Sequence, residues 1–85
     1  MPAISMFFGI IVTINYNDHL PPHFHARYQG HKAIYTMDGD LLAGSLPKKQ
    51  ASLVTAWALL HGDELAADWE LAREHQPTFR IDPLR

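Results

Sequence analysis

Apolar and polar positions along the chain change period three times, and each change marks an element. From Phe7 to Tyr16 the residues are aromatic or β-branched, with Ile10, Val12, Ile14 and Tyr16 on one face and Ile11, Thr13 and Asn15 on the other. This predicts one central strand over 7–16, preceded by a short lead, Met1 to Ser5, with Gly9 marking a bulge or bend. Asn17-Asp18-His19 reads as a turn. Pro21 and Pro22 hold the backbone extended and cannot donate to a ladder. His23 to Tyr28 then alternates strictly, so His23, His25 and Arg27 share one strand face and Phe24, Ala26 and Tyr28 the other. Gln29-Gly30 closes a two-residue hairpin, with the return strand running from His31 to Met37. In that register Arg27 lies opposite Lys32, His25 opposite Ile34, and His23 opposite Thr36. The reverse face pairs Ala26 with Ala33 and Phe24 with Tyr35.

Beyond the hairpin, Asp38-Gly39 is a second turn signal and a short strand follows from Asp40 to Ala43 or Gly44. Ser45-Leu46-Pro47 starts a helix, with Pro47 at its first position. Leu53, Val54, Trp57 and Leu60 recur at helical spacing and form its core stripe. His61-Gly62-Asp63 breaks the pattern. Gly62 ends the first helix and Asp63 caps the second. Leu65, Trp69 and Ala72 are the second helix's apolar stripe, Pro77 ends it, and Thr78 to Ile81 add a last short strand. The predicted fold is α+β: a small antiparallel sheet of three to four strands packed against two C-terminal helices, in a single domain over 1–85.

With 85 residues, the chain buries only about 60–65% of its unfolded surface. Self-association or a partner would therefore add stability. No cysteine is present, which excludes disulfides and thiolate zinc sites. The longest apolar run, Met6 to Val12, is too short to span a bilayer. With no basic leader and cleavage site, the expectation is a cytoplasmic protein without a membrane partner. Net charge is −2, unevenly spread. Residues 1–50 hold four Lys or Arg against three Asp or Glu, and residues 51–85 hold three against six. The first half suits an anion; the second suits a basic protein partner. A helix-turn-helix reading of the two helices fails on charge, because the second carries Asp63, Glu64, Asp68, Glu70 and Glu74 against Arg73 alone.

Chemistry concentrates in the stretch from Asp18 to Tyr28, which holds His19, His23 and His25, half of the six histidines. Three readings compete. The histidines are ordinary structural residues held by hydrogen bonds. Alternatively, His23 and His25, two apart on one face, ligate a divalent metal, with His19 or Asp18 completing the site. Or they act as acid and base on a phosphodiester, with His19 nearby, where Arg27, Lys32, Asp18 and Tyr28 bind the target. Arg27 facing Lys32 is unfavourable in isolation, so an anion between them would relieve the pair. No glycine-rich phosphate loop or nucleophile elbow is present.

Several blocks together carry a family resemblance. They are Met1-Pro2-Ala3-Ile4-Ser5 with Phe8-Gly9-Ile10, Pro21-Pro22-His23-Phe24-His25-Ala26, and Gly44-Ser45-Leu46-Pro47. Trp57 to His61, with Asp63-Glu64-Leu65 and Trp69-Glu70, completes the set. The chain resembles, over nearly its whole length, the small bacterial proteins called domain of unknown function 4160. Members are often found beside a second small protein, of the domain of unknown function 2442 family. The resemblance implies a toxin of a toxin–antitoxin pair, with that neighbour as antitoxin. On this reading the histidine face acts on or binds RNA or another phosphate-bearing target. The alternative is a non-catalytic metal- or ligand-binding module using the same histidines.

Overall fold

A computed structural model describes residues 3–85. Five strands, β1 (Ala3–Phe7), β2 (Ile10–Thr13), β3 (His23–Tyr28), β4 (His31–Thr36) and β5 (Leu41–Gly44), form one antiparallel sheet in sequence order. Helices α1 (Lys48–Leu60) and α2 (Gly62–Arg73) follow. The α+β architecture is the one the periodicity predicts, with one strand more.

The extra strand comes from the first apolar run. It is a hairpin, not a single strand: β1 pairs with β2 from Ala3↔Thr13 to Phe7↔Ile10. The predicted lead is therefore itself strand from Ala3 onward, and Met1 and Pro2 lie outside the described residues. Phe8 (φ 49°) and Gly9 (φ 80°) make the reversal, with positive φ at both central positions as a type I′ turn requires. A bulky aromatic at positive φ is uncommon, which is why Phe8 carried no turn signal. Gln29 (φ 44°) and Gly30 (φ 84°) repeat the geometry between β3 and β4. There the register is the predicted one at every pair from His23↔Thr36 to Arg27↔Lys32.

The pleat sorts the sheet into two faces. Phe7, Ile10, Val12, Phe24, Ala26, Ala33 and Tyr35 are buried on the helix side. Trp57 is the centre of this core. Its ring lies 5.3 Å from Phe7 and 5.7 Å, edge-on, from Phe24, and Phe24 stacks on Tyr35 at 5.6 Å. Its indole N–H donates to the Asp82 carbonyl at 2.9 Å, so the one polar atom of a fully buried side chain is satisfied. Among the described residues the other sheet face is not covered by a helix and carries an open groove.

The helices differ from prediction at their ends. Pro47 is the N-cap of α1 (ψ 149°) rather than its first helical residue. Leu60 is 70% exposed, because the buried stripe runs Val54, Trp57, Ala58 and ends at the last turn. His61 closes α1 and opens α2, and Gly62 is already helical. Asp63 and Glu64 in the first turn of α2 oppose the positive end of its dipole. The second helix ends at Arg73, before Pro77. His75 takes φ 56°, its N–H reaches the Ala72 carbonyl at 3.2 Å, and Gln76 N–H reaches that of Leu71 at 2.8 Å. This is a Schellman closure with histidine in the left-handed position usually held by glycine. Residues 78–81 are not a strand: Ile81 N–H makes one bond to Ile4 O at 2.7 Å, and the Asp68 carboxylate captures Phe79 N–H at 2.9 Å. Among the described residues no helix is long and apolar enough to cross a membrane.

Gly44 ends β5 at φ +71°, where a Cβ would collide with the Lys32 carbonyl oxygen. The same carbonyl accepts Ser45 N–H at 3.0 Å. Gly44→Ala should therefore destabilise the protein by about 1–3 kcal/mol, through left-handed strain and displacement of the β4 backbone. Urea unfolding measures this. An unchanged midpoint would mean that β5 is not held against Lys32 in this way.

Candidate functional site

After β2 the chain turns back across the start of β3. Asn17 is left-handed (φ 51°) and its N–H is tied to the Ala72 carbonyl of α2 at 3.1 Å. This anchor brings Asp18 over the first residues of β3. The Asp18 Oδ2 atom is 2.9 Å from His23 Nε2 and 3.4 Å from His25 Nε2. Its Oδ1 accepts the His19 backbone N–H at 2.8 Å. The Asn15 amide donates to Asp18 Oδ2 at 3.3 Å, and its nitrogen lies 3.2 Å from His25 Nε2. One ligand atom from each of Asp18, His23 and His25 falls within 4.8 Å of the others, so among the described residues these three could hold a metal ion.

The two histidines are not equivalent. His23 is 2% exposed, with Trp69 of α2 at 5.2 Å and the His19 ring at 5.1 Å. Its Nδ1 lies 2.7 Å from the Pro21 carbonyl oxygen. A carbonyl can only accept, so Nδ1 carries a proton and donates it. His25, with a side chain 27% exposed, reaches the open face. Of the pair predicted as acid and base, only His25 borders the open groove. His23 is withdrawn from solvent and both its nitrogens are engaged within the protein. His19 stands apart, its side chain 81% exposed and its Nε2 3.7 Å from Asp18 Oδ1.

Cross-strand pairing builds the rest. Thr13, His25, Ile34 and Ala43 are successive partners across β2 to β5, and Ile11, Arg27 and Lys32 form the neighbouring row. On this face lies an open groove of about 390 Å³ whose lining includes Thr13, Asn15, His25, Arg27, Lys32 and Ile34. Among the described residues neither Arg27 nor Lys32 has a carboxylate within 4.0 Å. Tyr28 does not join them, because its ring packs on the core and over Gly9. Nor does Thr36, whose hydroxyl accepts the N–H groups of Asp38 and Asp40. Asn15 is the residue that sequence reasoning missed. Its signal was its place on the Thr13 face, readable once β2 is paired with β3.

Burial alone would raise the Asp18 carboxyl pKa. The His19 backbone N–H, then the His23 and His25 side chains, outweigh it and bring the value down from 3.8 to about 2. A depressed folded pKa stabilises the fold above the unfolded value and loses that contribution as pH falls through the folded one. The contribution is about 2 kcal/mol. Unfolding measured in chelator should therefore show wild type losing stability between pH 5 and 2 more steeply than Asp18→Asn, by roughly that amount. Parallel curves would mean that the carboxylate is not held by these donors.

The profile of the family described as Domain of unknown function (DUF4160) matches residues 9–70, a span that contains Asp18, His23, His25, Arg27 and Lys32. Searches among curated proteins and among solved structures gave no significant match. A match over this much of the chain, with the predicted hairpin at its centre, means that the protein belongs to the DUF4160 family.

Proposed function

We propose that the open sheet face binds a phosphate-bearing target, RNA in the first instance. We further propose that the protein serves as the toxin-like component of a two-protein bacterial module acting in the cytoplasm. One observation carries the binding reading. Arg27 and Lys32 are direct cross-strand partners, a like-charge pair that costs stability, and among the described residues the groove they face is lined by no carboxylate. A phosphate between them would supply the missing charge and accept their hydrogen bonds, with guanidinium geometry suited to two oxygens at once. His25, Thr13 and Asn15 add donors along the same groove.

The toxin-like role rests on the family resemblance and its characteristic neighbour. The acidic surface of α2, where Asp63, Glu70 and Glu74 are exposed, suits a basic face on that neighbour. Burial of His23 favours binding over cleavage by two imidazoles, since only His25 of the pair borders the groove.

Fluorescence anisotropy with single-stranded RNA tests the binding half. Arg27→Ala should weaken binding about tenfold, the loss of one hydrogen bond to a charged group. It should also reduce the slope of log K against log salt by about 0.7. Lys32→Ala should do likewise. No binding at low salt and micromolar protein, or an Arg27→Ala/Lys32→Ala variant that binds like wild type, would remove this reading. For the module, induced expression should arrest growth, and co-expression of the neighbouring gene should relieve it. Unimpaired growth, together with separate elution of the two proteins, would remove the toxin-like role.

A further inference from the structure

We propose that Asp18, His23 and His25 form a binding site for one divalent transition-metal ion of zinc-like preference. This site goes beyond the phosphate-binding reading and does not depend on it. Because His23 Nδ1 gives its proton to the Pro21 carbonyl, its Nε2 faces Asp18 Oδ2 at 2.9 Å with either a lone pair or a second proton. Two lone pairs cannot rest against each other at that distance, so a proton or a metal ion lies between the two atoms. A single added proton would satisfy only His23 and Asp18. The third group, His25 Nε2, lies 3.4 Å from Asp18 Oδ2 and 3.2 Å from the Asn15 amide nitrogen. One nitrogen of each imidazole and one carboxylate oxygen thus converge within 4.8 Å of one another, the spacing around a single bound ion.

Two imidazole nitrogens and one carboxylate oxygen are the donor set that a borderline divalent ion takes with a fourth position left for water or ligand. Bonds of ~2.0–2.1 Å at tetrahedral angles separate neighbouring donors by ~3.3 Å, close to the His25–Asp18 distance. The outer contacts fit as well. The Pro21 carbonyl fixes the ring and tautomer of His23, and His19 N–H occupies the carboxylate oxygen that faces away from the imidazoles. Such supporting bonds orient metal ligands. Trp69 packs on His23 and closes the inner side, while His25 and Asn15 border the groove and leave the outer side open.

Calorimetric titration of zinc chloride into the full, chelator-stripped chain tests this. One equivalent should bind. Asp18→Asn and His25→Ala should each weaken it at least ~100-fold, the upper end of what loss of a merely supporting group costs. His19→Ala, His61→Ala and His75→Ala should stay within about twofold of wild type, unlike surface-histidine binding. His23→Gln should match Asp18→Asn. Should that buried substitution fail to fold by circular dichroism, the two other ligand variants decide. Cobalt(II) should give visible d–d absorption in wild type and lose it in Asp18→Asn. Absence of zinc binding, or binding unchanged in Asp18→Asn and His25→Ala, would overturn the proposal. No nucleic acid is present in the titration, so its outcome is independent of the RNA result.

Discussion

The contact between the Asp18 carboxylate and the buried Nε2 of His23 is the constraint on which the surroundings depend. Imidazole is rarely buried without a partner for each nitrogen. Here one nitrogen is satisfied by the Pro21 carbonyl and the other by Asp18. Both partners come from the loop between β2 and β3, so the loop's conformation and the ring's burial fix each other. Removing Asp18 would leave a polar nitrogen of a 2% exposed side chain without a partner, which costs about 1–3 kcal/mol.

That contact also joins the two layers of the molecule. Trp69 of α2 packs on the His23 ring, and Ala72 of the same helix accepts Asn17 N–H. The second helix is thereby anchored to the loop that carries Asp18 as well as to the hydrophobic core. The sheet separates the roles. Its inner face is filled by Phe24, Tyr35 and Trp57, while its outer face presents His25, Arg27 and Lys32. His23 begins β3 beyond the groove and links the outer face to the interior. Chemistry at the groove edge is in this way supported by side chains that do not themselves border it.

Much of this was readable from residues 23–36, where strict alternation and Gly30 point to the register that forms, although a one-residue slip at Gln29-Gly30 would have scrambled it. The apolar stripe of α2 was equally plain. The β1–β2 hairpin was not, because Phe8 occupies a conformation that aromatic residues seldom adopt, and an uninterrupted apolar run looks the same folded once or extended. The end of α2 was hidden for a similar reason: His75 stands where glycine is the usual signal. Within the site, sequence placed His23 and His25 on one strand face but could not show that one is buried and the other open. That difference arises from α2, which covers His23 through Trp69 and leaves His25 bare. Asn15 was invisible until β2 and β3 were known neighbours, since its role is set by pairing across ten residues.

The proposed zinc site requires Asp18, His23 and His25 to surround one cation. Long-range nitrogen–proton NMR correlation of the six histidine rings, recorded without metal and with saturating zinc, tests this most directly. His23 Nδ1 should be protonated in both states, because it donates to the Pro21 carbonyl. On zinc addition, the Nε2 resonances of His23 and His25 should move together, while those of His19, His31, His61 and His75 stay in place. An unprotonated His23 Nδ1, or an Nε2 resonance unmoved by zinc, would contradict it.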